Sequence, residues 1–338
     1  MKAKSIYIAI SIALLTISFV SCNEDTLYDG PCKVRFVAEV QDEVNVTRAT
    51  DGYTALPYSA DFSAGLYVSY GATAQPYTMS WDDNSKLSAN LWLETGNYGF
   101  YGYAPQQIGA EFVNTNKTLT IPNIPGLSNT DFLVINPRFA TVTSDNLLSG
   151  NKTVSLQMDH MMAKITPYFY INSEYNKLRD IHIKNVTFSL ENRKKFQANV
   201  VYNDNDMSYL TSWQTNENLN EKTVELFTDN SNTKTFLTTS SSSTVAQPYG
   251  QCYIVPSQYG QDITNLKMTV TYDVYDKKQQ LVRSNETATN KVVVKVRGTT
   301  KTQLEAGKNY LLNIQIIPTY LYVLSDNDES SVLVIPNN

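Results

Sequence analysis

The sequence predicts an all-β protein of the β-sandwich class, and three observations carry that expectation. Tyrosine is abundant, at 23 residues, and Thr, Val and Asn recur with it, a composition suited to twisted, half-buried strands and polar turns. Short segments alternate apolar and polar residues with period two, and Gly, Pro, Asn and Asp separate them at regular intervals. Nowhere does a sustained amphipathic helical pattern occur; one or two short helices are expected near 175–179.

The chain opens with Lys2 and Lys4, followed by an uncharged, mostly apolar run over 6–20. That run is shorter than the ~20 residues a membrane-spanning helix needs. With the small residue Ser21 at its end, it reads as a secretory signal peptide over 1–21. Phe19-Val20-Ser21-Cys22 resembles a bacterial lipobox, in which the signal is cut before Cys22 and the cysteine is acylated; an ordinary cleavage site beside a chance cysteine is the alternative. One acyl chain anchors marginally, whereas two or more hold durably. Asn23-Glu24-Asp25 resembles the surface-export signal of Bacteroidetes lipoproteins, so 22–30 is expected to be an acidic, lipidated linker at the cell outer membrane, on its outer surface.

The first strand covers 32–40, with Val34, Phe36, Ala38 and Val40 on one face. Residues 43–58 are polar and turn-rich and read as an exposed loop, in which the Arg48–Ala49 bond is open to a protease. Arg48 also reads as an ordinary loop arginine. Further strands are expected at 62–70, 77–81, 91–93, 98–105, 117–121 and 131–135. Glycines interleaved with aromatics at 96–105 suit a curved strand whose rings cover the glycine gaps. A longer stretch, 153–171, is expected to bend at Met161-Met162 and to be interrupted at Pro167. Strands then follow at 181–190, 196–202, 223–228, 235–239, 252–255, 266–275, 291–296 and 310–317, the last preceded by a turn at 305–309. In the tail, two apolar segments flank a polar turn: Tyr320-Leu321-Tyr322-Val323-Leu324 and Val332-Leu333-Val334-Ile335.

Charged residues make up 17% of the chain, the net charge is −5, and no basic block occurs. Nucleic acid is therefore excluded as a partner, because neutralising phosphates takes clustered Lys and Arg. No catalytic constellation, metal set or cofactor motif is evident. The two histidines, His160 and His182, do not fall at metal-ligand spacing, and Gly307-Lys308 lacks the rest of a phosphate loop. Asp204-Asn205-Asp206 and Asp326-Asn327-Asp328-Glu329 lack the glycine of a calcium loop and read as solvated turns. Cys32 and Cys252 are either a disulfide or two small core residues. Trp81, Trp92 and Trp213 are candidates for a carbohydrate-stacking surface if exposed, and otherwise for cross-strand packing.

Several motifs in order carry a family resemblance. These are Cys22-Asn23-Glu24-Asp25, Ala64-Gly65-Leu66-Tyr67-Val68, the glycine–aromatic run 96–105, Asp131-Phe132-Leu133-Val134, His160-Met161-Met162-Ala163-Lys164-Ile165 and Leu304-Glu305-Ala306-Gly307-Lys308-Asn309-Tyr310. The chain resembles a fimbrillin-superfamily lipoprotein of Bacteroidales, the subunits of type V pili. The resemblance implies two tandem transthyretin-like β-sandwich domains, here 31–165 and 166–318, with 319–338 as a two-strand appendage. It also implies cleavage after an N-terminal arginine, loss of the first strand, and its replacement by another subunit's C-terminal segment. Arg48 and Ala49 match that cleavage position, Val34, Phe36, Ala38 and Val40 the displaced strand, and the two tail segments the donor. The tail equally reads as the chain's own last hairpin. Partners would be other pilus subunits joined by β-strand addition, the membrane through the lipid, and a host or bacterial surface ligand. The competing expectations are a lipid-anchored stalk anchor that keeps its first strand, and a standalone glycan-binding surface lipoprotein.

Overall fold

The computed structural model describes residues 32–41, 44–45, 53–54, 63–81, 87–143, 145, 152–231, 233–240, 248–256, 260–296, 299–300, 304–317, 320–325 and 330–336. The expected signal peptide and the linker 22–30 lie outside them, as do Arg48, Ala49 and the acidic turn 326–329. In chain order the first strands are β1 (Cys32–Gln41), the two-residue β2 (Val44–Asn45) and β3 (Tyr53–Thr54), β4 (Ala64–Tyr70), β5 (Thr73–Trp81), β6 (Leu87–Leu93), β7 (Gly96–Ala104), β8 (Glu111–Val113), β9 (Thr118–Pro125), β10 (Leu127–Ser128), β11 (Leu133–Val142) and β12 (Lys152–His160). They are followed by β13 (Ala163–Ile171), the short helix α1 (Ser173–Asn176), β14 (Arg179–Ser189), β15 (Lys194–Asn203), β16 (Ser208–Asn218), β17 (Thr223–Thr228), β18 (Cys252–Ile254), β19 (Lys267–Asp276), β20 (Leu281–Val296), β21 (Thr299–Thr300), β22 (Lys308–Ile317), β23 (Tyr320–Ser325) and β24 (Ser330–Pro336). The protein is all-β, as the composition and periodicity predict. No helix among the described residues is long and apolar enough to cross a membrane.

The strands form four sheets. The first has the order β12-β11-β7-β4-β5-β6-β1-β3, and β1 also pairs with β12, so the sheet returns on itself. The second, β16-β15-β9-β8, joins strands from widely separated parts of the chain. The third is β10-β18-β13-β22-β2 with β23 on β22, and the fourth is β17-β14-β19-β20-β21 with β24 on β20. The boundary expected between 165 and 166 falls inside β13, whose Ala163, Ile165 and Phe169 belong to one continuous core with Ile181, Phe188, Val270 and Ile314.

Three buried clusters account for the layering. Val34, Phe36, Leu66, Phe100, Leu133, Leu156 and Met158 fill the interior of the first sheet. Tyr67, Tyr101 and Tyr103, on the opposite face of β4 and β7, pack against Ile121, Phe196, Val200 and Trp213 of the second sheet. The third cluster lies between the third and fourth sheets. The alternation at 62–70 suggests one buried face. Instead β4 is buried on both, from Ala64 through Ser69, because it is the middle of a stack. Gly102 of β7 meets that crowding: a Cβ there would stand 2.2 Å from the Gly65 carbonyl oxygen.

Elsewhere the differences from expectation have local causes. The loop 43–58 contains β2 and β3. The bend at Met161-Met162 is present, with both side chains buried, but Pro167 does not interrupt β13. The Tyr249 N–H donates to the Pro167 carbonyl at 2.9 Å, so the ring nitrogen of Pro167 faces that same edge. The missing donor therefore breaks no bond of the parallel ladder to β22. Residues 235–239 form no strand; Leu237 N–H bonds Ile181 O and Ile171 N–H bonds Thr238 O as isolated contacts at 2.9 Å. β16 and the first part of β20 are strands without an apolar alternation. Trp213 is the single buried residue of β16, and ladders to β15 and β19 hold these segments extended. α1 forms at the expected place, its N-cap Asn172 Oδ1 accepting from the Glu174 and Tyr175 N–H groups at 2.9 and 3.3 Å.

Cys32 and Cys252 are free and buried. They sit in different clusters, Cys32 inside the first sheet and Cys252 between the third and fourth, so the disulfide alternative is not realised. Burial pushes the Cys252 thiol well above its usual range. Two outcomes follow for the folded protein. Iodoacetamide at pH 8 is expected to leave both cysteines unmodified until urea is added, which mass spectrometry reads directly. Phe36→Ala is expected to lower the unfolding free energy by about 3–5 kcal/mol, measured from the urea midpoint.

Candidate functional site

The site is the seat of β1, and it follows from the period-two pattern. Cys32, Val34, Phe36 and Ala38 are buried, while Lys33, Arg35 and Val37 are half-buried on the other side. The Phe36 ring lies against Phe100 with centroids 4.8 Å apart and planes at 60°, a favourable tilted pair. Fully burying Val34 and Phe36 contributes roughly 1.5–3 kcal/mol each.

Backbone pairing occurs on both edges of β1. On one side it runs antiparallel to β6, from Cys32↔Leu93 to Val37↔Ser88. On the other it runs parallel to β12, from Val34↔Lys152 to Val40↔Met158. Among the described residues, β6 and β12 are joined only through β1 on this side of the sheet. Without β1, both would present unpaired edges flanking an apolar slot, a template for another strand. Just beyond β1, β2 pairs with the beginning of β22, Val44 with Lys308 and Asn45 with Asn309. Farther along β22, β23 pairs antiparallel from Ile317↔Tyr320 to Leu312↔Ser325. β24 pairs antiparallel with β20, from Val296↔Ser330 to Asn290↔Pro336. Both candidate donor segments are thus paired within their own chain, on the third and fourth sheets. The lipidation residue Cys22, the export residues Asn23, Glu24 and Asp25, and the bond Arg48–Ala49 lie outside the described residues.

The remaining candidates resolve into structural roles. His160 Nδ1 lies 2.5 Å from Asp131 Oδ2, both side chains buried. His182 is held between Asp229 Oδ2 at 2.7 Å and the Thr235 carbonyl at 3.0 Å. In the Asp204 turn, the carboxylate accepts from the Tyr101 hydroxyl at 2.9 Å, and Asp206 accepts from Asn203 Nδ2 at 3.0 Å. Burial, then the Asp204 bond, pushes the Tyr101 phenol well above its usual range. Among the described residues no group of three or more His, Cys, Asp or Glu is placed to hold a metal ion. Of the tryptophans, Trp81 packs against the first core and Trp213 is buried in the second, while Trp92 is 64% exposed. The periodicity locates β1, but nothing in it announces β6 and β12 as its neighbours.

No curated protein matches the chain. Among solved structures, it is similar to a candidate cell adhesion protein from Bacteroides ovatus ATCC 8483, with 12% identity over 91% of this chain and 99% of that one and a TM-score of 0.46. It is also similar to the tip fimbrial protein Mfa3 from Porphyromonas gingivalis with C-terminal truncation, at 9% identity, 90% and 100% coverage and a TM-score of 0.38. A fimbrilin from Porphyromonas gingivalis W83 matches at 13% identity, 91% and 99% coverage and a TM-score of 0.38. The model of the fimbrillin-like family matches residues 39–332, from within β1 to within β24. The chain belongs to the fimbrillin-like family.

Proposed function

We propose that this protein is a structural subunit of a cell-surface fimbria whose β1 is a removable strand. Membership of the fimbrillin-like family supports the fimbrial role, and the two-sided pairing of β1 carries the rest. In this reading the chain is two tandem transthyretin-like sandwiches tethered to the outer membrane by acylated Cys22. Asn23-Glu24-Asp25 directs it to the outer surface. A protease cuts after Arg48, and β1 leaves together with β2. Loss of β1 opens the slot between β6 and β12. Loss of β2 bares the start of β22, on the edge that β23 also occupies. β23 or β24 of a second copy, carrying Tyr320-Leu321-Tyr322-Val323-Leu324 or Val332-Leu333-Val334-Ile335, then fills the slot by β-strand addition. A donor burying about three large side chains there gains on the order of 5–9 kcal/mol before ordering costs. Adhesion is the biological output.

One observation favours a second reading. With β23 and β24 paired at home, an uncleaved chain is closed at both ends, as an anchor that keeps Cys22 and β1 would be.

Two measurements separate these readings. N-terminal sequencing of protein shaved from the cell surface is expected to begin at Ala49, in material that runs as SDS-resistant ladders. Monomeric chains beginning only at Cys22 would exclude the removable strand. A synthetic peptide of 319–338 is expected to bind protein cut after Arg48 with an affinity of about 1 μM or tighter, some 8 kcal/mol, and to leave the uncut protein unbound. Equal binding to both forms would place the peptide elsewhere than the β1 seat.

A further inference from the structure

We propose that the outer face of the first sheet carries a binding pocket for one neutral sugar ring, above Gly99. This site is separate from the β1 seat and does not depend on the fimbrial reading. The register builds it. Gly99 is the cross-strand partner of Ser69 on β4 and of Phe139 on β11. One step along, Asn97 pairs with Thr141. Asn97, Gly99 and Tyr101 face away from the interior, where Tyr98 and Phe100 lie. Gly99 is itself buried, with the Tyr101 and Phe139 rings closing over the place a side chain would take, and the cavity they border together with Ser69, Asn97, Lys117 and Asp204 has a volume of about 340 Å³. That volume lies at the small end of the ~300–1,000 Å³ typical of ligand sites, suited to a single ring.

The lining selects the chemistry. Phe139 is 39% exposed. It stands edge-on to Tyr101, 6.3 Å away, at 83°. Across from it, Lys117 and Asp204 reach in from two separate turns. The Lys117 ammonium donates to Asn114 Oδ1 at 2.6 Å and Ser69 Oγ at 3.2 Å. It lies 3.8 Å from Asp204 Oδ2. Lys117 holds a backbone φ of +52°, a conformation that crowds a Cβ against the following carbonyl and that non-glycine residues rarely adopt. Met207, at the end of the β15–β16 turn, holds the same conformation, so at Lys117 it belongs to the β8–β9 turn. Here, three side-chain partners fix the ammonium at the pocket wall. The second carboxylate oxygen of Asp204 accepts from the Tyr101 hydroxyl. At the opposite end Thr141 Oγ1 donates to Asn97 Oδ1 at 2.7 Å, and both residues are exposed.

One ammonium and one carboxylate make the pocket neutral overall. An anion would meet Asp204, and a cation would meet Lys117. A ring of hydroxyls suits the pocket, donating to the lone pairs that remain on the Asp204 carboxylate and on Thr141 Oγ1, while its C–H face packs on an aromatic ring. Polar groups of both kinds around one exposed aromatic therefore match a saccharide better than a charged metabolite.

Saturation-transfer-difference NMR on the purified full chain tests the proposal. The probes are glucose, galactose, mannose and N-acetylglucosamine, with N-acetylneuraminic acid as the anionic comparison. At least one neutral sugar is expected to receive saturation. Phe139→Ala and Asp204→Asn are each expected to weaken binding about tenfold or more, with thermal unfolding of both variants close to that of the parent. Gly99→Val, whose side chain would press on Tyr101 and Phe139, is expected to abolish binding. The proposal fails if no neutral sugar receives saturation, if N-acetylneuraminic acid alone does, or if folded Phe139→Ala and Asp204→Asn bind as the parent does.

Discussion

The pairing of β1 with two neighbours at once is the constraint on which the first sheet depends. Among the described residues, β6 and β12 meet no other strand across that gap. The interior cluster is likewise completed by Val34 and Phe36. Backbone and side-chain contributions are therefore concentrated in one ten-residue strand at the beginning of the described chain. A sheet closed by its first strand has no exposed edge there while that strand stays, and gains two when it leaves.

The remainder of the molecule is less easily opened. β4 and β7 are buried on both faces, between the interior of the first sheet and the second sheet. The second sheet is itself woven from 111–125 and 194–218, so the two parts of the chain share a core of Tyr67, Tyr103, Ile121, Phe196 and Trp213. That shared layer includes no residue of β1. β1 contributes to the core inside the first sheet and to neither of the other two.

The polar side chains of the molecule are distributed differently. Carboxylates and imidazoles are tied into local pairs, as His182 is to Asp229 and Asp206 to Asn203, and no convergent reactive set stands apart from them among the described residues. Where polar groups do converge, around Gly99, they combine with an exposed ring in a neutral hollow. That arrangement suits reversible recognition rather than bond making.

How much was legible in the sequence depended on whether the determinant was local. Turn residues and period-two alternation located β1, most of the strands and the bend at Met161-Met162, because side-chain direction along a strand is set by neighbours in the chain. The tyrosine-rich, helix-poor composition identified the all-β class for the same reason. The polar strand β16 was hidden, since it is held extended by its ladder to β15 and buries only Trp213. Pro167 was misleading because the direction in which its nitrogen points is a property of the sheet. The pocket above Gly99 was invisible, as Ser69, Gly99, Lys117, Phe139 and Asp204 come from five separate segments brought together by strand register alone. The amino-acid sequence by itself determined which strands form and which faces are apolar. Only the tertiary structure decided which strand closes the first sheet and what each face packs against, because pairing partners across a sheet are selected by register and burial over the whole chain.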